Sequence, residues 1–550
     1  MISSGHQDTF ARDNLPPREQ WPEFLFTLSE LRYRERLNCV SEFIDKWVES
    51  GQCGRTAIIS SQETLTYKEL AERINRIANV LTRDLGLVSG NRVLLRAPNT
   101  PMMIVVYLAV IKAGGVIVPT MPLLRAKELS YVVRKAKINL ALCDARLDDE
   151  MEKARSQTPE LTNVVYWGRE GAGSLGTSMR QLGYERFVAC DTAIDDVCLI
   201  AFTSGTTGEP KGTMHFHRDM LATCDSYGKY VLQASSDDRF IGSAPLAFTF
   251  GLGGHVLFPF RIGAATIPLE KATPEDLLRA IGHYKASVCF TAPTAYRAMM
   301  PHLDDHDISS LRKCISGGEL LPKTTFEAWH KATGLKILEG IGSTEMMHNF
   351  IGSPESEACA GATGRVVPGY VARIVDENGN EVPRGVVGRL AVRGPTGCRY
   401  LSDARQTKYV QDGWNFTGDT YMQDEDGYFH YQARSDDMII SAGYNIAGPE
   451  VEEVLLSHPA VAECGVVAAP DEERGQIVKA YIVLRAGQTA DAALTKALQD
   501  YVKAAVAPYK YPRAVEYVAS LPRTQTGKLQ RFELRKIAAR SMQEAVLISS

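Results

Sequence analysis

From Thr64 to Asp144 the apolar positions change period several times. The stretch TLTYKELAERINRIANVLTRDLG places apolar residues at helical spacing and closes on Gly86. RVLLRAP, VIVPT and INLALCD are short, nearly continuous apolar runs and predict strands; MMIVVYLAVIKAGG and KELSYVVRKA predict helices. Apolar strands alternating with helices of this size predict a mostly parallel sheet covered on both faces. The rhythm resumes at DVCLIAFTS, TPEDLLRAIGHYKASVCFTAP and LRKCISGG. On such sheets ligands gather in the loops at the carboxyl ends of strands. Past Ala362 the pattern turns to short strands and tight turns, with Asn378-Gly379 as a hairpin signal. After Pro449 a compact unit of helices and strands follows. The expected fold is therefore a multi-domain α/β protein: a large N-terminal domain (1–435) of parallel or mixed α/β subdomains plus a small β-rich subdomain, then a smaller α+β C-terminal domain (436–550).

Composition narrows the function classes. With 550 residues, 45% hydrophobic and 23% charged, the chain reads as an ordinary globular protein of two or more domains. A formal charge of -4 argues against a dedicated nucleic-acid binder. The apolar run Met102 to Val118 is cut by Lys112, Gly114 and Gly115, so it predicts a helix followed by a strand and no membrane span. The start, MISSGHQDTFARDN, has no secretory pattern, and eleven cysteines lie singly with no CxxC pair. A reduced, cytoplasmic setting is expected.

The chemistry-bearing stretch is TSGTTGEPKG, Thr203 to Gly212, directly after the apolar run Val197 to Phe202. Glycines at 205 and 208 permit close backbone approach, so the amides of Ser204, Gly205, Thr206, Thr207 and Gly208 can point into one anion-binding concavity. The hydroxyls add donors, and Lys211 adds a movable charge. A Walker loop is excluded, because Lys211 follows Pro210 and precedes Gly212 instead of opening a helix after G-K-[ST]. No G-x-S-x-G elbow or Cys/His nucleophile signature occurs.

Read with LTYKEL, EGIGSTE, FTGD, ARSDDMIISAGYNI and PRTQTGKLQR in that order, the loop resembles the signature of the adenylate-forming family, which includes acyl-CoA and aryl-CoA synthetases, luciferases and stand-alone adenylation domains. The resemblance runs from about Glu42 to Arg535. It implies ATP, Mg2+ and CoA as co-substrates or cofactors and assigns roles residue by residue. Thr203 to Gly208 and Lys211 would hold phosphates; Thr344 would contact the α-phosphate and Glu345 would anchor magnesium; Gly317, Gly318 and Glu319 would line the adenine. Asp419 and Arg434 would bind the ribose. Lys528 would be the catalytic lysine of adenylation, carried by a mobile C-terminal domain that rotates about Asp436, after which Gly443 and Tyr444 would face CoA. The last fifty residues carry nine Lys or Arg against three Asp or Glu, which suits phosphate-rich co-substrates; no aromatic stacking pattern for nucleic acid accompanies them.

The wording IGSTEMMH, with Tyr227 in SYGKY, most resembles benzoate-type and aminobenzoate-type CoA ligases, and DTFARDNLPPREQWPE resembles 2-aminobenzoate–CoA ligases. Tyr227, Phe250, Ile341 and His348 are the candidate acid pocket, a flat slot with a polar tip for an aromatic carboxylate. Ile341 stands where many family members carry an aromatic residue. His215 and His217, at period two, lack a third ligand in the sequence for a metal site. A short or medium aliphatic acid, a carrier-protein loader and a luciferase-like oxidoreductase remain open alternatives, and a homodimer is compatible with the reading.

Overall fold

The computed structural model describes residues 3–169, 171, 173–203, 210–434, 437–441, 444–471, 474–506, 508–524 and 527–549. The alternating runs build two open sheets, the parallel and mixed α/β subdomains expected of the large N-terminal domain. The first orders its strands Asn163–Trp167, Leu140–Asp144, Arg92–Arg96, Val116–Thr120, Val197–Thr203 and Lys211–Phe216, all parallel except the last pair. The second runs Ile337–Leu338, Lys313–Ser316, Val288–Thr291, Arg239–Gly242, Ala265–Ile267, Thr56–Ile59 and Thr64–Thr66, parallel but for its final hairpin. Periodicity reports that a strand is covered on both faces but not which strand lies beside it, so the order of strands within each sheet was invisible in the pattern.

The helices follow local chemistry. Tyr67–Asn79 starts from a capping box between Thr66 and Glu69, and its apolar face is buried at Leu70, Ile74 and Ile77. Pro101–Lys112 starts on a Thr100 cap with proline in its first turn and is buried from Met103 onward. Lys112 closes it, and inside the protein its ammonium is neutralised by Asp45 at 2.6 Å and donates a further hydrogen bond to Asn75 Oδ1 at 2.7 Å. The strand Val116–Thr120 follows directly. Among the described residues no helix is long and apolar enough to cross a membrane.

The β-rich part is an antiparallel sheet of Val371–Val375, Gly388–Arg393, Trp414–Gln423 and Val410–Gln411, with Phe429–Arg434 paired to Trp414–Gln423. Asn378-Gly379 is not the loop that joins two long strands. It makes a small turn closed by Asp376 and Asn380 within the longer connection between Val375 and Gly388, and it carries a single bridge, Val375 to Glu381. The C-terminal unit packs the helices Gly448–Ser457 and Ala492–Ala505 on strands Val461–Asp471, Gly475–Leu484 and Ala514–Tyr517. Its core, which includes Ile439, Ile446, Val451, Leu455, Val466, Ile482 and Leu498, is separate from the larger cores upstream.

Candidate functional site

The antiparallel pair Val197–Thr203 and Lys211–Phe216 presents Thr203 opposite Lys211 at the carboxyl end of the first sheet. Ser204, Gly205, Thr206, Thr207 and Gly208 lie outside the described residues. At the base of that loop the Thr203 hydroxyl is buried with no hydrogen-bond partner among the described residues. Lys211 Nζ donates to Tyr400 Oη at 2.7 Å and lies 3.5 Å from Glu345 Oε1. Tyr400 Oη in turn donates to Glu345 Oε1 at 2.6 Å. Thr344 and Glu345 sit on a tight turn in which the Met346 and Met347 amides bond back to the carbonyls of Ser343 and Thr344. The Thr344 carbonyl also accepts from His215 Nε2 at 2.8 Å. Toward a magnesium ion, Glu345 supplies a buried oxygen ligand of the required hardness, which fits an ion otherwise held by phosphate oxygens and water.

Asp419 and Arg434 stand directly opposite each other on paired strands, 3.2 Å apart. Burial raises the Asp419 carboxyl above its usual value, against the pull of Arg434. Gly418 is required there: its φ is +79° and a Cβ would lie 2.8 Å from the Arg434 guanidinium. Lys528 reaches this cleft from the C-terminal unit. Its Cε lies 3.4 Å from where a Cβ on Gly318 would sit, and Gly318 has φ +89°. Desolvation in the cleft holds the Lys528 ammonium below the usual lysine value, while Glu319, Asp419 and Glu345 pull it back up. Glu319 is raised by burial and lies 3.6 Å from Arg523 of the same C-terminal hairpin. Asp436 and Gly443 lie outside the described residues; Tyr444 opens the strand Tyr444–Ile446.

The structure gathers Tyr227, Phe250 and His348 into one aromatic cluster. Ring centroids of Phe250 and His348 are 5.7 Å apart and nearly parallel at 25°, and Tyr227 lies 5.3 Å from His348. Phe258 meets the imidazole edge-on at 4.7 Å, and Phe290 stands 5.5 Å from Phe250. Ile341, half-buried, pairs with Ile351 in the strand beside them. Two glycines make this packing possible: a Cβ on Gly253 would lie 2.5 Å from the His348 ring, and one on Gly317 would lie 2.4 Å from the Phe250 ring. Tyr227 Oη and both His348 ring nitrogens are buried without a hydrogen bond among the described residues. Burial lowers the His348 pKa to about 3, so the ring is neutral. Phe258, Phe290 and Tyr400 escaped the sequence reading. A core aromatic and a slot-wall aromatic carry the same apolar signal, and nothing around GCRYLSD marks its tyrosine.

His217 acquires neighbours that the sequence did not reveal, since Cys39, Cys198 and His217 lie together in the core. His217 Nδ1 already accepts the Cys39 amide at 3.2 Å, and the Cys198 thiol donates to the His215 carbonyl outside the group, so these side chains are engaged in the core's own hydrogen bonds.

Residues 44–400 match the family model of the AMP-binding enzyme, and residues 450–528 match that of the AMP-binding enzyme C-terminal domain. The chain is 35% identical over 511 residues to a benzoate–CoA ligase of Thauera aromatica, which covers 92% of this chain and 97% of that protein. Among solved structures it is similar to the anthranilate CoA ligase AuaEII in complex with anthranoyl-AMP, with TM-score 0.89, 32% identity and coverage of 94% of this chain and 100% of the other. A benzoate CoA ligase from Burkholderia xenovorans LB400 gives TM-score 0.83, 31% identity and coverage of 91% and 100%.

Proposed function

The chain belongs to the AMP-binding enzyme family, and from that premise we propose that it is an AMP-forming acid–CoA ligase acting on an aromatic carboxylate of the benzoate or 2-aminobenzoate type. In the first half-reaction a carboxylate oxygen of the acid attacks the α-phosphorus of ATP, forming the acyl-adenylate and releasing pyrophosphate. The protein contributes position and charge, with Lys528 and Thr344 meeting oxygens at the α-phosphorus. Lys211 and the glycine-rich loop would hold the phosphates, and Asp419 and Arg434 the ribose. Magnesium, held by Glu345, would neutralise phosphate charge. In the second half-reaction the CoA thiol attacks the acyl carbonyl, the thioester forms and AMP leaves. We assign the change between the two steps to rotation of the C-terminal unit about Asp436, which withdraws Lys528 and brings Gly443 and Tyr444 to CoA. The cytoplasm is the proposed setting, supported by cysteines that are all free.

One observation carries the aromatic reading. Phe250, stacked on His348, packs against Gly317, and the next residue, Gly318, lies beside the Lys528 side chain. An acid whose ring packs against Phe250 would thereby have its carboxylate within the lysine's neighbourhood. The unpartnered Tyr227 hydroxyl and neutral His348 imidazole favour a ring with a polar substituent. The test is a panel of benzoate, 2-aminobenzoate, hydroxybenzoates and C2 to C8 aliphatic acids, scored for pyrophosphate release and CoA thioester. Aromatic acids are expected to lead in kcat/KM by at least about tenfold. A leading aliphatic acid would overturn the aromatic assignment, and adenylate formation with no CoA-dependent AMP release would replace CoA by a carrier.

A further inference from the structure

We propose that Tyr400 is a positioning residue for the adenylation half-reaction: its single hydroxyl sets the separation between Lys211 and Glu345, the two charges that the triphosphate and its cation must meet. The inference rests on the function proposed above.

Tyr400 Oη accepts from Lys211 and donates to Glu345, so one neutral atom satisfies both while the charges stay 3.5 Å apart. In a buried site, a direct ammonium–carboxylate contact is strong and must be broken before either partner can turn to a ligand. The hydroxyl, bonded to both, leaves them a loose ion pair at 3.5 Å in place of a short hydrogen-bonded contact. It also leaves Glu345 with its second oxygen uncommitted among the described bonds.

The spacer can act only if it is rigid, and its surroundings fix it on every side. Tyr400 is fully buried. Its backbone bridges Thr213, its amide donates to Gln406 Oε1 at 2.9 Å, and the flanking residues exchange backbone bonds with the strand that follows the loop: Met214 N to Arg399 O and Leu401 N to Gly212 O, both 2.8 Å. Next to it, the buried Arg399 guanidinium binds Asp219, whose carboxylate lies 3.5 Å from His215 Nδ1. His215 Nε2 holds the Thr344 carbonyl. Arg399 and Tyr400 thus fasten the Thr344-Glu345 turn from two sides, one through the main chain and one through the carboxylate.

Tyr400→Phe removes the hydroxyl and leaves the ring. In the full-length protein, kcat/KM for ATP in acid-dependent ATP–pyrophosphate exchange should fall about ten- to hundredfold, the scale for losing hydrogen bonds to charged groups. Thioester formation from a presynthesised aryl-adenylate and CoA should stay within about twofold of the native rate. Unchanged exchange, or equal loss in both steps, overturns the proposal, the second outcome marking a merely structural tyrosine. Equilibrium binding of a fluorescent ATP analogue to Lys211→Met and to Lys211→Met/Tyr400→Phe closes a cycle. With the ammonium gone, loss of the hydroxyl should weaken binding by less than about threefold more, and full additivity also overturns the proposal. A native protein that exchanges pyrophosphate with no acid would refute the proposed reaction instead, and the binding cycle would still judge Tyr400.

Discussion

Lys528 is a cation in a cleft whose desolvation disfavours charge and whose carboxylates favour it. The desolvation prevails in the free protein, so its pKa lies below the lysine norm. Under the proposed mechanism the charged form is the useful one, because the developing negative charge at the α-phosphorus needs an ammonium. As pH rises, that form is lost earlier than it would be for a lysine in water. The pH profile of kcat/KM for ATP in pyrophosphate exchange, which reports the free enzyme, should therefore bend downward on its alkaline side below the ordinary lysine value of about 10.4. Thiolysis of a presynthesised adenylate should lack that limb, since the lysine is assigned only to the first step. A limb shared by both reactions would detach it from Lys528. The Lys528→Ala variant provides the companion measurement: exchange is lost while thiolysis persists.

At the scale of elements, the aromatic slot depends on helix and strand segments approaching more closely than a side chain allows. Gly253, in the helical stretch after Phe250, faces His348; Gly317, just past the strand Lys313–Ser316, faces Phe250. Gly253→Ala places a methyl 2.5 Å from an imidazole that is itself wedged between Phe250 and Phe258. The ring must shift, at a stability cost of about 1–3 kcal/mol for an overpacked core. KM for the aromatic acid should rise about tenfold or more while KM for ATP changes little, because the phosphate loop lies on a different strand pair. Steady-state kinetics in both substrates checks this, and a rise confined to ATP would move His348 out of the acid slot. These glycines also show what the sequence could tell. The runs RVLLRAP, VIVPT and INLALCD were legible as strands because burial on both faces leaves a continuous apolar signature, and the motif order led to Lys528, Asp419 and Glu345. Tyr227, Phe250 and His348 were legible, but Phe258, Phe290 and Tyr400 were not, because contacts such as Phe258 to His348 or Tyr400 to Lys211 join residues far apart in the chain and leave no periodicity. The Asn378-Gly379 turn was legible as a turn, but its place in the sheet depended on strands pairing beyond it.

For the whole molecule, the buried titratable groups tie stability to pH with opposing signs. His6, His255 and His348 are held neutral chiefly by burial, at about 4, about 4 and about 3. Glu339, the residue before the strand Gly340–Gly342, is pushed the other way by desolvation, to about 8. Below the histidine norm of about 6.5, the unfolded chain binds protons on the three imidazoles that the folded protein refuses, so acidification favours unfolding. Glu339 opposes this: the folded carboxyl keeps its proton at pH values where an unfolded glutamate is ionised, so its contribution weakens as pH rises toward 8. Between about pH 5.5 and 4.5 these four groups leave a net uptake of about two protons on unfolding, or roughly 3 kcal/mol of stability lost per pH unit. His255 isolates one of the contributions, because its ring is fully buried and it stands outside the proposed contacts with ATP and acid. In His255→Gln the denaturation midpoint, followed from pH 7 to pH 5, should fall less steeply than in the native protein, by about one proton or ~1.4 kcal/mol per pH unit. An unchanged slope would mean that His255 is protonated within the folded core and that burial does not control its charge.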